Sequence, residues 1–395
     1  MGATQLKPKI DYNILFLLFL FMCISVFYIY EAQQLEQYGT NFAIRQFIFY
    51  IGVFLLVIGI TYIDLDYVKK LHWFTYAFGV LLLVVLALLP ASAEGPAITR
   101  NGATRWLAIP VIGAFQPAEI TRLLLLISLA VVVSKHREGP SKMRSDLWLI
   151  GKMALLALPV VVLLSDQPDM GSIMMLAAMI VAVMLVSKIS LKVIIPMIAL
   201  PAAGILSFVY MYHNHLEFVE RYVFRFMQPY QENRFHGWLN PTEFAQEGYG
   251  FQAELAIRAV GSGRLSGIEG TNDFYIPEAH SDFIFTIIGH THGFIGACVV
   301  ISLYFILLYA IVMVGFKSTS QFDLTVCAGI GGLFAFQVFQ NIGMNVGLLP
   351  ITGFSLPFIS YGGTSLITSA LAVGLVLSIK AHTKTYMFAK NYEEG

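Results

Sequence analysis

Apolar runs of membrane-spanning length recur along nearly the whole chain, and that recurrence restricts the fold to a helical membrane bundle. A stretch of about 20 apolar residues crosses the hydrocarbon core as a helix. Backbone groups in lipid find no water, so they must bond to one another within helices. Hydropathy gives about ten spans by this length criterion, near residues 12–30, 44–63, 71–90, 115–134, 149–165, 170–187, 190–211, 282–314, 324–348 and 358–380. Only 12% of residues are charged, about half the fraction of an ordinary soluble domain. The expected fold is an all-α polytopic membrane protein, with an eighth span long enough to tilt or bend. The first span has too long an apolar core for a cleavable signal peptide, and no small-residue cleavage site follows before Glu31.

Lysine placement sets the expected orientation. Lys7, Lys9, Lys69, Lys70, Lys135, Lys142, Lys188, Lys192, Lys317, Lys380, Lys384 and Lys390 fall in one alternate set of loops and ends, with Lys152 at a span end on the same side. The opposite set carries arginine but no lysine. Both termini are therefore expected in the cytoplasm, which requires an even number of spans. The net charge is zero, and nothing in it points to nucleic acid.

Two outward segments are longer than a compact bundle needs, at 91–114 and 212–281. Loops of that length are usually functional. The second, between the seventh and eighth spans, is rich in aromatics and arginine, which suits a segment lying on the bilayer surface. Arg221 and Arg225 within it are four apart, the spacing of one helix face. Cys23, Cys298 and Cys327 all lie inside expected spans and read as small buried hydrophobes.

Four constellations are chemically interesting. Asp282 sits where Pro277-Glu278-Ala279-His280-Ser281-Asp282 runs into an apolar stretch. An ion at the rim of hydrocarbon needs water, a partner or a substrate. It reads either as a general base facing an outward cavity or, with Ser281, as a helix N-cap. On a helix starting there, Thr286 and Gly289 share its face. Glu119 and Arg122 are spaced i,i+3 near the outer end of a span, as an intramembrane functional pair or a self-neutralising one. Gln167-Pro168-Asp169 reads first as a tight turn at a helix start. Gln337, Asn341 and Asn345 form an i,i+4 stripe, the spacing of polar glue between helices. The proline- and glycine-rich run 349–363 follows, and such broken backbone survives at membrane depth only where protein or water satisfies it.

His213/His215 and His290/His292 are i,i+2 pairs that point to different helix faces. No His-Glu-x-x-His, cysteine cluster, Walker loop or dinucleotide fingerprint is present.

The run Asn341-Ile342-Gly343-Met344-Asn345-Val346-Gly347-Leu348-Leu349-Pro350-Ile351-Thr352-Gly353, continuing to Pro357-Phe358-Ile359-Ser360-Tyr361-Gly362-Gly363, resembles the signature of the RodA/FtsW/SpoVE (SEDS) family. Gln116-Pro117-Ala118-Glu119, Leu239-Asn240-Pro241, Ala259-Val260-Gly261-Ser262-Gly263 and Pro277–Phe285 support it. The resemblance covers the whole chain, 1–395, as a single integral membrane domain, and chain length and basic segments look closest to RodA. It implies a peptidoglycan glycosyltransferase that polymerises lipid II at the outer face of the bacterial cytoplasmic membrane, in contact with membrane lipid and with a class B penicillin-binding protein. That partner is expected on an exposed face of the eighth and ninth spans. Asp282 matches the acidic residue essential for catalysis. The expected substrate-binding residues are Glu119, Arg122, Arg105, Arg234, Gln252, Ser262, Glu278, His280, Asn341, Asn345 and Ser360. No metal ligand is assigned; a divalent cation carried by the substrate's diphosphate is the one candidate cofactor. The sequence departs from the family pattern at His290, where glutamate is usual, at Arg122 in place of lysine, and at Leu255, Ala256 and Arg264. A lipid II transporter and a non-catalytic scaffold for the penicillin-binding protein are the alternatives, the first suggested by the broken 349–363 segment and the Glu119–Arg122 pair, the second by His290 and the Leu255-Ala256 departures.

Overall fold

The computed structural model describes residues 11–35, 39–92, 95–100, 103–109, 113–136, 143–167, 169–227, 229–244, 248–268 and 275–383. Lys7, Lys9, Lys142, Lys384 and Lys390 of the orientation argument lie outside the described residues, as does Pro168.

The chain starts with α1 (Tyr12–Gln33) and α2 (Phe42–Thr61), then short α3 (Leu65–Lys70) and α4 (His72–Leu88). After a small sheet come α5 (Pro117–His136), α6 (Met143–Asp166), α7 (Met170–Val186) and α8 (Leu191–Asn214). The long connection holds α9 (Leu216–Tyr222), a 3-10 turn, α10 (Pro229–Leu239) and α11 (Gly248–Ser262). Then α12 (Ile284–Lys317), α13 (Gln321–Asn345) and α14 (Gly363–His382) complete the bundle. Among these, eight helices are long and apolar enough to cross a membrane. The apolar α4 and α7 are 17 residues each and coincide with two further expected spans.

Local chemistry starts these helices where they start. Asp11, Asn41 and Asp64 accept from the exposed N–H groups of α1, α2 and α3. Pro117 opens α5, where its missing N–H breaks no ladder bond. The centre of the bundle is α5, 72% buried over its apolar window, with α13 and α14 at 61%. Helix α8 is the opposite case: only 6% of its window is buried. It joins a separate hydrophobic cluster through Tyr212, which meets Val219 of α9 and Phe224 of the 3-10 turn.

The bundle is helical throughout, and the exception lies in the 91–114 connection. There β1 (Ala91–Ser92), β2 (Ala97–Arg100), β3 (Ala103–Ile109) and β4 (Gly113–Phe115) form one sheet in sequential order. β2 and β3 pair antiparallel, with Ile98 opposite Trp106. Thr364 of α14 ties the sheet's end down, donating to Ala114 O at 3.1 Å.

The long α12 bends, as its length suggested. Gly293 lies at φ 58°, ψ −153°, a conformation open only to glycine. The N–H groups of Phe294 and Ile295, freed by that break, donate to Arg264 O (2.9 Å) and Leu265 O (3.1 Å). The bend is thus satisfied by the loop after α11.

Two expectations are corrected. Arg221 and Arg225 do not share a helix face, because α9 ends at Tyr222 and Arg225 falls in the 3-10 turn. Of the cysteines only Cys327 is buried; Cys23 is exposed on α1 and Cys298 half-buried, in apolar helices whose outer faces lack protein neighbours.

Candidate active site

The segment before α12 is a tight turn. Ser281 and Phe283 both donate to Glu278 O, at 3.0 and 3.3 Å. Glu278 takes φ 57°, a left-handed conformation that a non-glycine residue adopts only under constraint. The helix proper begins after Phe283, with no side-chain cap. The capping reading of Ser281 and Asp282 is therefore overturned, and Asp282 stands outside the helix rather than on one face with Thr286 and Gly289.

What fixes Asp282 comes from far along the chain. Asn341 Nδ2 donates to Asp282 O at 2.9 Å, and Asn345 Nδ2 does so at 3.3 Å. Asn341 also donates to Phe354 O. Ser360 Oγ donates to Ser281 O at 2.6 Å, and Tyr361 N to His280 O at 2.9 Å. Asn341, Asn345 and Ser360 are buried. Their polar atoms hold backbone instead of facing an opening, so their expected contact with substrate becomes a positioning role. Leaving such a buried carbonyl without its donor costs about 1–3 kcal/mol. Gln337 and Gln340 likewise donate to Ser355 O (2.8 Å) and Pro350 O (2.9 Å), which satisfies the broken 349–363 backbone.

The Asp282 side chain is half-buried, with Gly353 against it. Gly353 has φ 74°, and a Cβ there would lie 3.2 Å from Asp282 Oδ2. Two residues ahead of the span, Asp282 has its carboxyl pushed up to about 7. Burial is the main cause, the Glu278 carboxylate adds to it, and the Arg234 guanidinium from α10 opposes it. Trp238 of the same helix donates to Leu348 O at 3.2 Å, holding α10 against the start of the broken segment. His280 stacks flat on Phe42, centroids 4.2 Å apart, with Glu278 at 4.0 Å. Burial lowers its pKa, and Glu278 partly restores it.

A second constellation surrounds α7. Asp169 accepts from Ser172 N (3.1 Å) and Ser172 Oγ (2.6 Å), so it is the helix cap its position suggested. It also accepts from Gln116 Nε2 at 3.4 Å and lies 3.9 Å from Arg105. Arg122 does not bond to Glu119: its guanidinium donates to Ser172 Oγ and Met175 Sδ, both 3.4 Å, while Glu119 Oε2 has no hydrogen-bond partner among the described residues. The two side chains thus make no direct ion pair, and both line one cavity of about 30 Å³ with Gln337 and Thr368. The Phe354 ring covers Gly171, so the 353–355 segment touches both constellations.

The structure therefore brings Glu278, His280, Arg234, Asn341, Asn345 and Ser360 around Asp282. Glu119, Arg122 and Arg105 belong to the second group. Ser262 bonds to His290 Nδ1 at 2.9 Å, and no contact links it to Asp282. Gln252 is half-buried on α11, without a hydrogen bond to either group. Gln116 and Gly353 were not singled out as site residues; their place inside the motifs was the available signal. Among the described residues, no group of three or more His, Cys, Asp or Glu gathers to hold a metal ion.

Residues 9–385 match the FtsW/RodA/SpoVE cell cycle protein family. A probable peptidoglycan glycosyltransferase FtsW from Nitrosomonas europaea is 30% identical over 95% of this chain and 93% of its own. Stage V sporulation protein E of Bacillus subtilis is 27% identical over 96% of this chain and 100% of its own. A chain from a peptidoglycan synthase complex that coordinates polymerization and crosslinking superposes with a TM-score of 0.73 at 26% identity, over 94% of this chain and 98% of that one. The rod shape determining protein RodA of Thermus thermophilus shares the fold, with a TM-score of 0.66 at 23% identity over 96% and 99% of the two chains.

Proposed function

This chain belongs to the FtsW/RodA/SpoVE family, a bacterial plasma-membrane family of peptidoglycan synthesis, and from that membership we propose that it polymerises lipid II with Asp282 as general base. The observation that carries this reading is the Asp282 carboxylate, half-open and anchored through its own backbone by Asn341 and Asn345. The acceptor sugar's 4-hydroxyl loses its proton to Asp282 as its oxygen attacks the donor's anomeric carbon. The new C–O bond forms as the bond to phosphate breaks, and polyprenyl diphosphate leaves with the electron pair. The negative charge growing on the diphosphate calls for a cation, and Arg234, whose field reaches Asp282, is the candidate in this reading. Inversion at the anomeric carbon needs one base and no covalent enzyme intermediate, by analogy with glycoside hydrolysis.

In this reading the ten-span topology holds, both termini are cytoplasmic, and Asp282 faces the extracytoplasmic boundary. The similarity to a chain of a peptidoglycan synthase complex supports a class B penicillin-binding protein as partner. The exposed apolar residues Ile301, Phe305, Val312 and Phe316 on α12 supply a face for its membrane helix. The transporter reading is weaker: the cavity at Glu119 and Arg122 is about 30 Å³, room for about one water. The scaffold reading leaned on His290 and the Leu255-Ala256 departures; His290 bonds to Ser262 on α11, away from the turn that holds Asp282.

Purified with that partner, the chain is expected to make glycan strands from lipid II. Because the base works ionised, the rate should rise with pH through about 7. Glu278→Gln should move that midpoint down, since a neighbouring negative charge is gone, and Arg234→Gln should move it up. A flat profile from pH 5 to 9 would remove Asp282 from the proton transfer. The elongation branch, favoured by chain length, is tested by complementation: rescue of a strain depleted of its elongation polymerase is expected, and rescue of a division-depleted strain alone would reassign the branch.

A further inference from the structure

Beside the bend of α12, a trough of about 250 Å³ lies between α1 and α12. Ile24 of α1 and Ile295, Val299 and Val300 of α12 make it apolar along its length. The helices run antiparallel here, with Tyr28 against His292 at a ring distance of 5.4 Å. Tyr28, His292 and Ser266, from the loop that pairs with the bend, therefore gather at one end. Gly296 leaves room for the Tyr28 hydroxyl, which lies 3.5 Å from where a Cβ would be. Tyr28 is 7% exposed, and among the described residues its hydroxyl has no hydrogen-bond partner. Neither do Ser266 Oγ and the His292 ring nitrogens. Tyr28 is buried as a residue, whereas Ser266 and His292 are exposed at the open end of the trough, so the three present unpaired donors to whatever lies there.

The geometry points to a binding site for one glycerophospholipid molecule, with an acyl chain along Ile24, Val299 and Val300 and its ester and phosphate oxygens at Tyr28, Ser266 and His292. Each of those three side chains has a proton to donate, and the ester carbonyls and phosphodiester oxygens of such a lipid are acceptors only. A chain without the polar head would leave the donors unmet, and a free phosphate would leave the apolar wall bare. The trough of about 250 Å³ takes part of one acyl chain, the rest of the molecule lying in the bilayer. A partner helix of about 10 Å diameter does not enter it. The bound lipid would lie against Gly293 and the 264–266 loop, so it braces the bend between the two halves of α12. The site is separate from Asp282 and does not depend on the proposed polymerase activity.

The full-length protein, reconstituted in nanodiscs of phosphatidylethanolamine and phosphatidylglycerol with a trace of phospholipid carrying a mid-chain diazirine, tests this. After irradiation, adducts are expected on Ile24, Ile295 and Val299 well above those on Phe305 and Tyr309, exposed residues of the same helix. Native mass spectrometry after detergent extraction is expected to retain one phospholipid. Val299→Trp, which fills the trough, should remove both signals. Combining Tyr28→Phe with His292→Leu should lower retention about tenfold, and single Tyr28→Phe, which keeps the ring and its packing, should show part of that loss with an unchanged unfolding midpoint. Labelling at Val299 no stronger than at Phe305 would mean ordinary annular lipid and overturn the proposal. So would a trough cross-linked to a second copy or to a partner helix.

Discussion

Replacing Asp282 with asparagine should lower the rate of glycan-strand synthesis from lipid II by about 10²–10⁴-fold, the usual worth of a positioned general base. Asparagine keeps the shape of the side chain and cannot take up the acceptor's proton. The bonds that hold this turn use backbone oxygens of Asp282 and Ser281, so they survive the exchange. The thermal unfolding midpoint should therefore hold while initial rate falls, as read by fluorescent lipid II and gel analysis of the strands. Burial raises the Asp282 pKa, so removing the charge should if anything stabilise the fold at pH above 7. A variant that polymerises at the wild-type rate would end the general-base assignment. A variant that loses activity only because it unfolds would show that the turn depends on the carboxylate after all.

Gly353→Ala should be the second large effect, although the residue carries no functional group. The added methyl would sit 3.2 Å from Asp282 Oδ2, inside comfortable contact. It would also have to adopt φ 74°, which costs a side-chain-bearing residue about 1–2 kcal/mol. Displacing a reacting group by about 1 Å can cost about 10²-fold in rate. Relieving this contact takes a few tenths of an ångström, so the expected outcome is a drop in turnover of about tenfold with a modest loss of stability. Gly204→Ala on α8, where a Cβ meets nothing within 4 Å, is the control expected to leave both unchanged. Equal turnover in the two variants would mean that Asp282 tolerates movement, which contradicts a fixed base.

Much of this architecture was legible because lipid imposes a simple rule on sequence. The apolar runs predicted at 12–30 and 44–63 lie within a few residues of α1 and α2, and the bend in the eighth was anticipated from its length. Asp282 stood out for the same reason, as an ion at the start of an apolar stretch. The partners of its turn were harder to see. Asn341, Asn345 and Ser360 bond to oxygens 59 to 79 residues earlier in the chain. Spacing along one helix showed that they share a face but could not name the carbonyls they meet. The small sheet was missed although its signal was present: Ile98, Thr99 and Thr104 flank Asn101-Gly102, a dipeptide favoured in tight hairpins. Arg221 and Arg225 failed because the i,i+4 rule presumes that the helix continues, and α9 stops at Tyr222.

Helix α8 is held near its two ends, by Ile194 in the main core and by Tyr212 in the second cluster, with few neighbours between. It has 24 residues, a length of about 36 Å set against about 30 Å of hydrocarbon. With so few side-chain neighbours to fix its angle, the mismatch in length does so: thinner bilayers lean it over and thicker ones bring it upright. The composition of the surrounding lipid thereby sets the slant of this one segment while the interlocked centre stays put.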